Sequence, residues 1–332
     1  MTKALRGINI GGWLVAERWM TPSLFDGVEG DGEIALVKEL GKSEAVKRLR
    51  LHRDEFITEA DFVWIKKHGF DFVRLPVGYW LFEETDDFID GEGYVEKAFA
   101  WATAHNLGIV LDFHGLQGSQ NGYDHSGQTG KVRLYRPANR SAALRTLAYM
   151  CEQYGQEKAL LAVEVINEPK VRFFMWRLMD YYHKAYSVAD KRLGSQVKII
   201  VSDAFKPLKV AKKLSRRRYG KRLVLDIHLY QVFSREDQQL TIDGHVEKVQ
   251  QAWDNLLKRL AEYLPVMVGE WSAALPLAVY SNLEASELEL ASRYFTAQQE
   301  LFDSRTWAHS YWTYKAPGCG VWDYRSQTSF HS

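Results

Sequence analysis

The sequence predicts a (β/α)8 barrel forming a single domain over residues 1–332, on three observations. Short β-branched, apolar runs recur along the whole chain, each followed by a polar or Gly-rich stretch and then a segment of helical period. That alternation implies βα units around a parallel sheet. Eight such runs can be placed, and eight units point to a closed barrel rather than an open doubly wound sheet. No internal repeat, low-complexity tract or Pro/Ser-rich linker divides the chain, so one domain is the economical reading.

The elements follow in order. A strand over 5–10 opens the series. Phe56, Ile57, Phe62, Val63 and Ile65 then form an amphipathic helical stripe, closed by the His68-Gly69 stop signal. Strands are placed at 70–75, 109–113, 161–166, 198–202, 223–228, 266–269 and 310–313. Helices fall at about 94–105, 139–154, 171–193, 246–263 and 284–303, each with an apolar stripe.

Composition excludes several classes of function. The chain is 46% hydrophobic and 26% charged with a net charge of +1, so no nucleic-acid or acidic partner is called for. A basic run lies between Lys206 and Arg222, with Lys209, Lys212, Lys213, Arg216, Arg217, Arg218 and Lys221. It lacks aromatic interleaving and a second basic segment, and reads as a solvated outer face of the barrel. No apolar run has membrane length, and the first residues carry no secretory signal, so no membrane association and a cytoplasmic location are expected. Cys151 and Cys319 form neither a disulfide framework nor a CxxC pattern. Aromatic content is high, at 11 Trp, 17 Tyr and 16 Phe, which suits a cleft that stacks on the C–H faces of sugar rings.

In a parallel barrel, polar residues at strand C-termini converge over one mouth. Here those ends read Arg74-Leu75-Pro76, Asp112-Phe113-His114-Gly115, Asn167-Glu168-Pro169, Asp226-Ile227-His228-Leu229-Tyr230, Gly269-Glu270-Trp271 and Tyr311-Trp312. A single strand-end Arg or Asp often only pairs and caps; five strands delivering ionisable groups to one mouth is a pattern of another order.

Two glutamates stand out, because an apolar run ends in a charge only where something compensates it. Both the run into Glu168 and the run into Glu270 end that way. Cleaving a glycosidic bond needs one carboxyl group to protonate the leaving oxygen and another to attack the anomeric carbon. Strand alternation puts Glu164, Ile166 and Glu168 on one side and Asn167 on the other. Glu164 then reads as an interior charge paired with a basic neighbour. Arg74 would keep a nearby carboxylate ionised and suits the nucleophile. His228 and Tyr230 share a strand face and could orient the two carboxyls or the sugar. Asp112, His114 and His228 offer metal-ligand types without a compact ligand motif, and Gly11-Gly12 lacks phosphate-loop spacing. Neither metal nor cofactor is therefore expected.

These residues resemble glycoside hydrolase family 5, over nearly the whole chain from Gly7-Ile8-Asn9-Ile10-Gly11-Gly12-Trp13 to Tyr311-Trp312-Thr313-Tyr314-Lys315. Thr21-Pro22-Ser23-Leu24-Phe25, Gly118-Ser119-Gln120-Asn121-Gly122-Tyr123-Asp124, Tyr230-Gln231-Val232-Phe233 and Gly269-Glu270-Trp271-Ser272-Ala273-Ala274-Leu275 are most similar to its fungal exo-β-1,3-glucanase branch. The resemblance implies Glu168 as acid/base and Glu270 as nucleophile. It implies Arg74, His114, Asn167, His228, Tyr230 and Trp312 around the cleaved sugar. Glu17 and Asp124 match carboxylates that bind hydroxyls of the terminal glucose, and Tyr123 and Phe233 match an aromatic pair at the entrance. A cis Trp312–Thr313 peptide is implied as well. The chain departs from the branch in Arg18-Trp19 for Pro-Tyr, in His125 for Asn among the substrate-binding positions, in Pro276-Leu277-Ala278-Val279-Tyr280 for a polar loop, and in lacking its disulfide cysteines.

The reading is a retaining exo-β-glucosidase acting on β-1,3-glucans and their oligosaccharides, its two carboxyls about 5–5.5 Å apart. A β-glucosidase for another β-glucoside or an endo-β-glucanase would use the same chemistry. A non-catalytic carbohydrate-binding barrel is the alternative from another class. It has no need of a raised-pKa acid opposite an ionised nucleophile.

Overall fold

A computed structural model describes residues 3–171, 175–217, 219, 222–280, 287–327 and 330. Eight parallel strands close into a barrel in sequence order, each paired with the next and the eighth with the first. They are β1 (Leu5–Asn9), β2 (Phe72–Gly78), β3 (Gly108–Gly115), β4 (Leu160–Glu164), β5 (Lys198–Ser202), β6 (Leu223–Leu229), β7 (Val266–Trp271) and β8 (Ala308–Tyr311). Helices follow on the outside, and the main apolar core lies between them and the strands. Among the described residues no helix is long and apolar enough to cross a membrane.

The barrel interior is built in layers. Phe72, Val110, Ala162, Ile200, Val224, Met267 and Ala308, all fully buried, form one apolar cluster. Gly7 completes the level: a Cβ there would sit 2.2 Å from the Phe72 ring, so the missing side chain makes room for the aromatic one. Two residues further along β2, β3, β4 and β6, the same inward parity brings Arg74, Asp112, Glu164 and Asp226, each fully buried. A charged layer thus rests directly on an apolar one.

Several sequence expectations need correction. The stripe from Phe56 to Ile65 is two helices: Phe56 ends Lys42–Phe56, and a second runs Glu59–Lys67. Thr58 and Asp61 cap the second reciprocally, and Gly69, at φ +81°, follows it. Val63 is 45% exposed, about 100° around the helix from Phe62. The last strand lies two residues earlier than 310–313, because the ladder ends at Tyr311: Thr313 N–H donates to Trp322 O in the loop after β8 at 3.0 Å, and Tyr314 N–H returns to Asn9 O at the end of β1 at 2.9 Å. The helix placed at 171–193 is Met175–Asp190, and the start of the one placed at 284–303 falls partly outside the described residues. In the basic run, the helix Pro207–Leu214 buries Val210, Ala211 and Leu214 while Lys209, Lys212, Lys213, Arg216 and Arg217 are exposed; Arg218 and Lys221 lie outside the described residues.

Candidate active site

Arg74 organises the charged layer. Its Nε donates to Glu164 Oε2 at 2.9 Å, its Nη1 to Asn9 Oδ1 and Glu270 Oε1 at 3.0 Å each, and its Nη2 to Asn167 Oδ1 at 2.9 Å. Asp112 Oδ2 lies 3.1 Å from the same Nη2. The guanidinium stays charged: burial opposes this, but Asp112, Glu164, Glu270 and Asp226 together raise its pKa well above the usual value. Glu164 is the paired interior carboxylate that the sequence indicates.

Glu168 and Glu270 reach the mouth by departures from strand alternation. Met267 faces the interior, and Gly269 would too, since a Cβ there would lie 2.3 Å from Asp226 Oδ2. Simple alternation would send Glu270 outward. The ladder between β6 and β7 slips at this point, Ile227 pairing with Val268 but His228 with Glu270, and the bulge re-aims the carboxylate inward. On the other side β4 stops at Glu164, and Glu168 has a left-handed backbone at φ +42°. Asn167 consequently faces Arg74 and His114, its Nδ2 3.2 Å from His114 Nε2, contrary to the alternation read from sequence.

Each carboxylate has its own partners. Tyr230 donates to Glu270 Oε2 at 3.0 Å, opposite Arg74. His228 Nδ1 lies 2.6 Å from Glu168 Oε1 and 3.4 Å from Glu270 Oε2, and its Nε2 is 3.1 Å from Asp226 Oδ2. His125 Nε2 faces Glu168 Oε2 at 3.5 Å. Within the trio Glu168, His228 and Glu270, one ligand atom from each lies within 4.8 Å of the others. In a second such trio, Glu164, Asp226 and His228, Arg74 lies against both carboxylates; among the described residues Asp112, His114 and His228 form no trio of this kind.

The protonation pattern differs from the expected one. Burial alone would raise Glu168, yet the hydrogen bond and charge of His228 bring it down to about 2. Burial opposes a charge on His228 too, but Glu270 and Asp226 hold its pKa well above the ordinary imidazole value. Burial raises Glu270, against the pull of His228 and Arg74. These directions favour the proton on His228, hydrogen-bonded to Glu168, and Arg74 does not by itself keep Glu270 low.

A cavity of about 660 Å³ opens above these groups. His114, Asn167, Glu168, Glu270 and Trp312 line its floor, with His114 stacked on Trp312 at 5.9 Å and held by Asp112 at 2.6 Å. The Trp312–Thr313 peptide is cis. Glu17 forms part of the wall, and burial, then Asp124, push its pKa well above the carboxylate range. Asp124 thus stands close enough to act on Glu17, although it does not line the cavity itself. Tyr123, His125, Tyr230 and Phe233 complete the residues anticipated from sequence; burial brings His125 down to about 4.

Three lining residues were missed: Trp19, Phe205 and Trp322. Trp19 was legible only as a departure from the family pattern, and its Nε1 donates to Glu17 Oε2 at 2.8 Å. Phe205 follows β5 in a left-handed turn at φ +55°, and Trp322 lies in a short 3-10 turn after β8; no local sequence signal places either at the mouth.

A parallel eight-stranded barrel whose mouth holds two apposed carboxylates has the parts that a glycoside hydrolase requires. The family model described as Cellulase (glycosyl hydrolase family 5) matches residues 37–317, and the chain belongs to that family. It is 31% identical over 363 residues to "Probable glucan 1,3-beta-glucosidase A" of Aspergillus niger, spanning 97% of this chain and 85% of that protein. It is 37% identical over 290 residues to "Glucan 1,3-beta-glucosidase" of Kluyveromyces lactis, spanning 82% and 67%. Among solved structures, rutinosidase from Aspergillus niger superposes with a TM-score of 0.81 at 21% identity, covering 96% of this chain and 92% of that one. Endoglucanase Cel5A from Thermotoga maritima gives 0.65 at 17%, covering 98% and 96%. At these identities the structural likeness is one of fold.

Proposed function

We propose that the chain is a retaining exo-β-glucosidase that releases glucose from the non-reducing end of β-1,3-glucans and their oligosaccharides. The observation that carries this reading is the approach of Glu168 and Glu270 to within 4.8 Å at their nearest oxygens. Inverting enzymes leave room for a water with carboxyls about 6.5–9.5 Å apart, whereas retaining ones hold them at about 5–5.5 Å. Glu270, oriented by Arg74 and Tyr230, attacks the anomeric carbon as the bond to the leaving oxygen breaks. Glu168 delivers the proton to that oxygen, drawing on the imidazolium 2.6 Å away. Water then cleaves the glycosyl-enzyme with Glu168 as base.

The wall of the cavity and the relatives support exo-action. Glu17, held by the Trp19 indole at 2.8 Å, offers a carboxylate on the cavity wall that can satisfy hydroxyls of a terminal sugar. The glucan assignment is supported by the names of the relatives. Product analysis on laminari-oligosaccharides tests it: glucose alone from the first time point, released as the β-anomer, is the expected result. A spread of oligomers would replace exo- by endo-action, and α-glucose would overturn retention.

A further inference from the structure

His125 stands in the short turn Asp124–Ser126 after β3, and its side chain reaches the wall of the catalytic cavity. Two rings fix its own: Tyr123 stacks on it at 5.7 Å, and His114 meets it edge-on at 5.2 Å. Its Nδ1 is buried with no hydrogen-bond partner among the described residues, and burial keeps the imidazole neutral, with a pKa of about 4. A neutral imidazole carries one hydrogen. On Nδ1 that hydrogen would be a buried donor with nothing to bond, so it sits on Nε2.

Nε2 faces Glu168 Oε2 at 3.5 Å, beyond the roughly 2.7–3.2 Å of a hydrogen bond between nitrogen and oxygen. The other carboxylate oxygen, Oε1, is taken by His228 at 2.6 Å, which leaves Oε2 to meet a leaving group. Two atoms this far apart can both touch a single oxygen set about 2.8 Å from each. A glycosidic oxygen has one lone pair for a proton and another for a hydrogen bond. The gap between Oε2 and Nε2 therefore fits the leaving oxygen itself, with a donor on either side. The Asn that the resembled branch carries at this position ends its amide where the imidazole has Nδ1; only the longer histidine reaches the gap.

We propose that His125 is a further catalytic group, donating its Nε2–H to the leaving oxygen while Glu168 protonates that oxygen. The proposal rests on the retaining β-glucosidase reading above, with Glu168 as the acid. As Glu270 bonds to the anomeric carbon, the bond to the leaving oxygen breaks and its electron pair goes to that oxygen. The proton passes there from Glu168, which is left as a carboxylate. His125 keeps its own hydrogen and stabilises the negative charge that develops on the oxygen.

The test is a series of aryl β-glucosides from dinitrophenyl to phenyl, in which the need for help at the leaving oxygen rises with the pKa of the phenol. These leaving groups carry no sugar hydroxyls, so lost binding of a second sugar does not enter. His125→Phe keeps a ring between Tyr123 and His114 but has no N–H. Relative to wild type, its kcat/KM falls about 10- to 100-fold more on phenyl than on dinitrophenyl glucoside, which steepens the plot of log kcat/KM against leaving-group pKa. His125→Gln, whose amide reaches as far as Nε2, restores most of the wild-type slope. Partial misfolding lowers every substrate by one factor and leaves the slope alone. A wild-type slope in His125→Phe, or a slope in His125→Gln as steep as in His125→Phe, overturns the proposal. Failure of the wild type on every glucoside removes the β-glucosidase reading instead, and an unsteepened slope in Glu168→Ala removes the acid on which the proposal rests.

Discussion

His228 Nδ1 lies 2.6 Å from Glu168 Oε1, and the same ring is fixed from behind by Asp226 at 3.1 Å. The imidazole is thus both the closest donor to the proposed acid/base and the resting place of its proton. In the wild type, the pair holds that proton to a pH well above the ordinary imidazole range, because Glu270 and Asp226 outweigh burial at His228.

Replacing His228 with Asn moves the proton onto Glu168 alone. Burial and the nearby Glu270 then keep that carboxyl above the solution value, but Asp226, which bonds the imidazole and not Glu168, no longer holds the proton. The alkaline limb of kcat/KM, which reports loss of the acid's proton in the free enzyme, shifts to lower pH. The rate on glucans falls roughly 100-fold or more, as for loss of a general acid–base partner. A pH profile on an aryl glucoside checks this; an alkaline limb unmoved by the substitution would show that His228 does not hold the proton.

Arg74 compensates several buried carboxylates at once, so its removal leaves uncompensated charge in the barrel. Arg74→Met is expected to cost about 3–5 kcal/mol of stability, the usual penalty for breaking a buried pair from one side. Arg74→Lys recovers little, because a single ammonium cannot bond Glu164, Asn9, Glu270 and Asn167 from one planar fork. Urea unfolding at neutral pH measures both, and equal stability of the Lys variant and wild type would contradict this account.

Much of the barrel was legible because strand burial writes itself as apolar, β-branched runs; 198–202 coincides with β5 as observed. The proposed catalytic pair was legible because Glu168 and Glu270 end such runs. What the sequence could not convey was orientation. Alternation holds only within a ladder, and both glutamates act where the ladder fails, one at a bulge and one in a left-handed turn. The last strand was misplaced for a related reason: Trp312 and Thr313 have strand-like side chains, but the ladder ends at Tyr311 and the Thr313 N–H bonds to Trp322 in the loop beyond. Trp322 itself sits in a loop whose position depends on contacts with residues far away in sequence, such as Tyr230.

The bulge makes Gly269 a sensitive point. A Cβ would approach Asp226 Oδ2 to 2.3 Å, while Asp226 Oδ1 accepts the Gly269 N–H at 2.6 Å. Gly269→Ala must push Asp226 or β7 aside, which is expected to cost about 1–3 kcal/mol as overpacking does. The displacement carries Glu270 and the His228 partner with it, so kcat falls more than KM rises. Kinetics with an aryl glucoside, together with thermal unfolding, test this; unchanged kcat in a folded variant would mean that Glu270 is aimed by something other than the bulge.

The roles of the two glutamates separate by leaving group and by stereochemistry. Without Glu270 no glycosyl-enzyme forms, so Glu270→Ala is nearly inactive on every substrate, and azide attacking directly in its place yields an α-azide, of inverted configuration. Without Glu168 the leaving oxygen receives no proton. Glu168→Ala therefore loses far more activity on laminaribiose than on dinitrophenyl glucoside, whose leaving group departs unaided. In that variant the glycosyl-enzyme accumulates, and azide attacks it from the opposite face to give a β-azide of net retention. The experiment compares both variants on both leaving-group types, with the anomer of each azide product read by NMR. Equal losses on the two substrates in Glu168→Ala would remove it as the acid. A single configuration for both azides would show that the two carboxylates do not play opposite parts across the 4.8 Å that contains them.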